Sequence, residues 1–106
     1  MSLEAKELRI GNKAIYVITG EIITVTISWI KKAGDRLKPI PLTEEWLLKF
    51  GFQLNDNVAR FRALVIYKQD GIWWFDIVLN SVEIKHVHQL QNLYYALTNK
   101  ELTIKQ

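Results

Sequence analysis

From residue 21 to residue 30 the chain alternates, with Ile23, Val25, Ile27 and Trp29 on one side and Thr24, Thr26 and Ser28 on the other. A period of two carried by β-branched residues predicts a half-buried strand. Upstream, residues 14–18 form a short β-rich run between the turn signals Gly11-Asn12 and Thr19-Gly20. Downstream, residues 32–35 read as a turn and residues 36–40 as a short strand. Pro39 and Pro41 bar that strand from central pairing, so it is an edge or an exit. This first block is therefore expected to be a set of close antiparallel strands, either a meander or the opening of a small SH3-like barrel.

The pattern then changes period. Thr43 precedes Glu44 and Glu45, which suit the first turn of a helix, and Leu42 and Leu47 are spaced for a hydrophobic staple. Gly51 supplies a left-handed terminus. A helix over residues 44–50 follows, with Trp46, Leu47 and Phe50 turned to the core. Residues 53–59 read as a polar connection. Two long strands, residues 60–69 and 72–80, are joined by Asp70-Gly71, the strongest short-range hairpin signal. A two-residue loop pairs Lys68 with Trp73 and Tyr67 with Trp74. One face of this hairpin is then plain core; the other gathers Phe61, Tyr67 and Trp74 around one carboxylate, Asp76. Residues 82–85 make a last short strand.

At the carboxyl end Val87, Leu90, Leu93, Tyr94 and Leu97 recur at the spacing of one helical face, with Gln89, Gln91, Asn92 and Tyr95 turned elsewhere. Asn99 can close this amphipathic helix. The fold class expected is α+β: antiparallel strands with a short central helix and a C-terminal helix that seals them.

Composition narrows the functional classes. The 106 residues are 49% hydrophobic and 24% charged, which suits one globular domain spanning residues 1–106 and excludes a disordered chain. With no cysteine, thiolate metal sites and a cysteine nucleophile are excluded. No run approaches the roughly 18 apolar residues of a membrane span. The start carries acids and no apolar run, unlike a signal peptide, so the chain reads as cytoplasmic. Net charge is +3. The one local imbalance is Lys31, Lys32, Arg36 and Lys38 around Asp35, a loop suited to phosphate or to solubility.

Candidate chemistry is sparse. His86 and His88 lack a third nitrogen or sulfur ligand, so no metal is assigned. Ser2, Ser28 and Ser81 sit in no glycine-framed elbow, and Glu44-Glu45 is explained by capping. The five glycines form no phosphate-binding loop. No catalytic or cofactor-binding residue is assigned, and no enzyme activity is expected. Four tryptophans and four tyrosines are many for this length. Trp73 and Trp74 are strand neighbours and must face opposite sides: one is core, the other lies beneath a second layer or at a sticky surface.

Three phrases, LRIGN at residues 8–12, PIPLTEEWLLKFGF at 39–52 and VHQLQNLYYALT at 87–98, together resemble a family of short uncharacterised bacterial proteins, often encoded in phages, prophages or other mobile elements. The resemblance implies no activity, cofactor or catalytic residue.

Two readings follow. In the first, the chain is a non-enzymatic module that binds another protein or itself through Phe61, Tyr67, Trp74 and Asp76. In the second, it binds nucleic acid, with Lys31, Lys32, Arg36 and Lys38 on phosphates and Trp29 stacking on a base. Neither involves a membrane.

Overall fold

The computed structural model describes residues 9–33, 36–62, 64–77 and 80–104. It is an α+β fold with two antiparallel sheets, of three and five strands, and a C-terminal helix. The elements are β1 (Lys13–Tyr16), β2 (Ile22–Thr24), α1 (Ile27–Ala33), β3 (Leu37–Lys38), α2 (Glu44–Phe50), β4 (Gln53–Asn55), β5 (Val58–Phe61), β6 (Leu64–Gln69), β7 (Ile72–Ile77), β8 (Asn80–Ile84) and α3 (Val87–Thr98). They divide into two compact units. One holds the described residues up to Pro41 together with His86–Glu101; the other holds Leu42–Lys85 and the described residues from Leu102.

In the first unit the sheet order is β2-β1-β3, so β3 is an edge, as its flanking prolines require. Ala14, Val25 and Leu37 are fully buried, and Tyr16, Ile23, Trp29 and Ile30 pack against them. The strand expected over residues 21–30 is corrected: it ends at Thr24, and residues 27–33 are helical. Its partner β1 begins at Lys13, opposite Thr24. Val25 still bonds across to the turn, its N–H to Asn12 O (2.8 Å) and its O from Gly11 N–H (2.9 Å), and beyond it no ladder remains to join. Thr26 then caps a helix, its Oγ1 accepting from Trp29 N–H at 3.3 Å, and Lys31 and Lys32 fall in the last turn, where the helix dipole favours cations. Of the expected turn at 32–35, Lys32 and Ala33 are helical, and Gly34 and Asp35 lie outside the described residues.

α3 packs on β1 through polar as well as apolar groups. Val87, Leu90 and Tyr94 are buried as the spacing predicts, but Leu97 is exposed, and Gln91, expected to turn away, is 1% exposed. Its side chain accepts from Lys13 N–H (2.8 Å) and donates to Gly11 O (3.1 Å). Asn12, also fully buried, donates from Nδ2 to Asn92 Oδ1 (2.9 Å) and accepts from Arg9 N–H (2.6 Å). Arg9 Nε donates to the same Asn92 oxygen (3.0 Å), and its guanidinium pairs with Glu101 and lies 4.3 Å over the Tyr95 ring. Gly11 has φ +98°, a conformation that favours glycine, and a Cβ there would sit 3.3 Å from the Glu101 carboxyl, which would have to give by a few tenths of an ångström. Asn99, left-handed at φ 59°, ends the helix by donating to Tyr95 O (2.7 Å).

In the second unit α2 spans the residues expected and buries Trp46, Leu47 and Phe50. Thr43 Oγ1 accepts from Trp46 N–H (3.4 Å), and the Gly51 and Phe52 N–H groups close the other end on Leu48 O and Leu47 O. Each of these buried apolar side chains contributes about 1.5–3 kcal/mol. The sheet is a meander, β4-β5-β6-β7-β8. The polar connection expected over residues 53–59 is corrected to a hairpin, Leu54 pairing with Ala59 around Asp56, which takes φ 55°. The strand expected over residues 60–69 is broken at Arg62 (φ 54°), where the chain reverses so that Phe61 pairs with Leu64. The strand expected to run to residue 80 also folds back: Ile77 pairs with Asn80, with Val78 and Leu79 between them outside the described residues. The Asp70-Gly71 turn forms as expected, with φ 55° and 80°, and pairs Lys68 with Trp73 and Tyr67 with Trp74.

Replacing Gln91 by Leu keeps volume but strands the Lys13 N–H and the Gly11 carbonyl. Equilibrium urea unfolding is expected to show a loss of about 2–4 kcal/mol, since a buried polar group left unpaired costs about 1–3 kcal/mol.

Candidate functional site

Alternation along an antiparallel sheet sorts its side chains onto two faces. In the five-stranded sheet one face carries Leu54, Ala59, Phe61, Leu64, Ile66, Trp73 and Ile84; of these Ala59, Leu64, Ile66, Trp73 and Ile84 are buried. Phe61 faces Phe52, ring centroids 5.4 Å apart. The opposite face is built from two rows. One row crosses all five strands by direct pairing: Asn55, Val58, Tyr67, Trp74, Glu83. The second holds Gln53, Arg60 and Val65 on β4 to β6, and Asp76 paired with Ser81 on β7 and β8.

This second face is open. Val58 and Val65 are 36% and 39% exposed, Tyr67 and Trp74 are half-buried, and Arg60, Asp76 and Ser81 are exposed. Trp73 at 4% takes the core place and Trp74 the surface one, which resolves the alternatives left by their adjacency. Tyr67, Asp76 and Ser81 form a closed triangle: the tyrosine OH donates to Asp76 Oδ1 (2.9 Å), the Ser81 OH donates to the same oxygen (2.7 Å), and the two hydroxyls are 3.2 Å apart. Two donors on one oxygen fix the direction of the carboxylate. Next to the triangle's strands, a depression of about 200 Å³ is lined by Gln53, Asn55, Val58 and Arg60.

The four residues expected to share an aromatic face are thus divided. Tyr67, Trp74 and Asp76 are together; Phe61 is on the other side of the sheet. The reversal at Arg62 shifts the parity of everything before it by one, which exchanges the faces. Ser81 and Arg60, which the sequence reading did not place here, belong to the site. Ser81 lay in an unpaired interval of the expected topology; the pairing of Ile77 with Asn80 places it opposite Asp76.

The basic residues are divided too. Trp29 sits on α1, half-buried, 5.0 Å from the Tyr16 ring and with Lys32 Nζ 5.5 Å from its own. α1, with Lys31 and Lys32, covers the face of the small sheet that carries Leu37. Lys38 follows Leu37 on β3 and so faces the other way, opposite Ile15. Arg36, exposed, ties to this edge through its carbonyl, which accepts from Val17 N–H (2.8 Å).

The His86 and His88 rings stack at 5.7 Å and 11°, and Gln89 Oε1 accepts from the His86 backbone N–H at 3.0 Å, the arrangement of a helix start. Among the described residues no group of three or more His, Asp or Glu is placed to hold a metal ion, and no helix is long and apolar enough to cross a membrane. Comparisons with protein-family models, with curated proteins and with solved structures find no match.

The triangle orients groups at a wet surface, so its bonds stabilise little. Tyr67→Phe, which deletes both hydroxyl contacts, is expected to change the unfolding free energy by no more than about 1 kcal/mol, read from chemical denaturation.

Proposed function

We propose that the chain is a non-enzymatic protein-interaction module whose contact surface is the open face of the five-stranded sheet. The observation that carries this reading is the central row, in which Val58, Tyr67 and Trp74 lie side by side, half-covered, with Val65 beside them. Aromatic residues with two side-chain torsions lose little entropy on contact, and they bury large areas with a polar tip available to a partner. Arg60 on one side and the oriented Asp76 carboxylate on the other supply a polar rim. Nothing in the Tyr67–Asp76–Ser81 triangle favours catalysis: the serine donates to a carboxylate that already takes a second hydrogen bond, an arrangement for positioning rather than for removing a proton.

The module acts in the cytoplasm on this reading, and the phrases at residues 8–12, 39–52 and 87–98 support an accessory role in a phage or other mobile element. Nucleic-acid binding draws less support from the geometry. Its residues fall on opposite faces of the small sheet, and the Trp29 ring is already engaged by Tyr16 and Lys32.

A photoreactive amino acid placed at Val65 in the full chain tests the surface directly. Irradiation in producing cells is expected to yield protein adducts from position 65 and none from Glu45, an exposed helix position outside the face. Equal labelling from both, or none from either, would overturn the reading.

A further inference from the structure

The open face is complementary to itself. Its centre strand is β6, with β5 and β4 on one side and β7 and β8 on the other. The β4–β5 half carries Arg60 and the depression of about 200 Å³ lined by Gln53, Asn55, Val58 and Arg60. The β7–β8 half carries Trp74, Asp76, Ser81 and Glu83. Glu83 is paired with Lys85 at 3.6 Å, whereas among the described residues neither Arg60 nor Asp76 takes part in an ion pair. One half is therefore concave and basic, the other aromatic and acidic.

We infer that the partner of this face is a second copy of the chain, packed face to face about a two-fold axis running along β6. The inference rests on the proposed role of the open face and names its occupant. Such an axis keeps position along the strands and exchanges the two sides of the sheet, so β5 of one copy lies over β7 of the other. Arg60 and Asp76 occupy the same row, two residues along from Val58 and Trp74. The rotation therefore sets Arg60 of each copy against Asp76 of its partner, and Val58 against Trp74, with Trp74 over the rim of the depression. Each contact occurs twice, as an isologous interface requires. The Tyr67 and Ser81 hydroxyls hold the carboxylate ready for a guanidinium, which lowers the ordering cost of the pair.

The size of the face sets the strength. Five strands about 4.8 Å apart and about five residues long give a footprint of roughly 20 by 17 Å, or about 350 Å². That is less than half of the roughly 800 Å² per partner in a standard stable interface, so the dimer is weak and reversible, with Kd on the order of 10–100 μM.

Sedimentation equilibrium of the full chain between about 5 and 500 μM brackets that range. Concentration-dependent dimer is expected, with Arg60→Asp and Asp76→Arg each weakening it at least about tenfold and the double exchange restoring it to within about threefold. A monomer throughout, a dimer indifferent to the single changes, or a double variant no better than the singles would overturn the proposal. A second readout does not depend on the charged variants folding. The chain has no cysteine, so Val65→Cys on β6 introduces one thiol beside the axis, and a short bis-maleimide, able to span the roughly 10 Å between packed sheets, is expected to join two copies through it faster than through Glu45→Cys. Equal rates would count against the axis. If the chain stays monomeric while position 65 still labels a different protein, the second copy is wrong and the interaction surface stands; if position 65 labels nothing, both fall.

Discussion

The first unit is organised around one carboxamide. Gln91 offers an acceptor to Lys13 N–H and a donor to Gly11 O, the two groups an adjacent strand would have satisfied at the start of β1. A side chain from α3 thus stands in for a strand, and it is why the helix lies on the sheet where it does. The neighbouring Asn12–Asn92 bond and the Arg9 contacts extend the same network. Contacts spanning about eighty residues carry a loop-closure cost that individual hydrogen bonds, at about 0.5–1.5 kcal/mol each, do not offset alone. The apolar stripe of Val87, Leu90 and Tyr94 supplies the rest, and the amides select one register for it. Buried amides tolerate no half-measures, because a carboxamide short of its partners costs more than an apolar group in the same place.

This network also accounts for two of the three segments singled out in the sequence, residues 8–12 and 87–98. LRIGN contributes Arg9, Gly11 and Asn12, and VHQLQNLYYALT contributes Gln91, Asn92 and Tyr95, all meeting at one place. The middle phrase, PIPLTEEWLLKFGF, is accounted for by α2, its threonine cap and its glycine close. All three segments build scaffold, and the open sheet face lies outside them.

The second unit shows what an antiparallel meander permits. Such a sheet buries one face and leaves the other wet, so a single strand encodes both core and surface. Ala59, Ile66 and Trp73 belong to the first; Val58, Tyr67 and Trp74, each one residue away, belong to the second. Any turn that moves by one residue exchanges the two. Arg62, in a left-handed conformation that arginine rarely adopts, is such a turn, and it sends Phe61 to the core side against Phe52.

Local chemistry was enough wherever a residue type carries its own conformational preference. Thr43 and Gly51 bound α2, Asp70-Gly71 sets the pairing of Tyr67 with Trp74, Asn99 ends α3, and Pro39 and Pro41 keep β3 at an edge; each preference is intrinsic to a side chain and legible without neighbours. The site was half legible for the same reason: Tyr67, Trp74 and Asp76 hang from a turn that announces itself. Tertiary structure decided the rest. Residues 27–30 read as strand because alternation is a pattern of neighbours, and the end of the ladder beyond Thr24, with Thr26 as a cap, makes them helical. Phe61 left the face and Arg60 joined it because the reversal at Arg62 carries no glycine or asparagine signal, and Ser81 joined it because Ile77 pairs with Asn80. Gln91 is polar by composition and buried by circumstance, since its partners are backbone groups about eighty residues away that no local pattern can reveal.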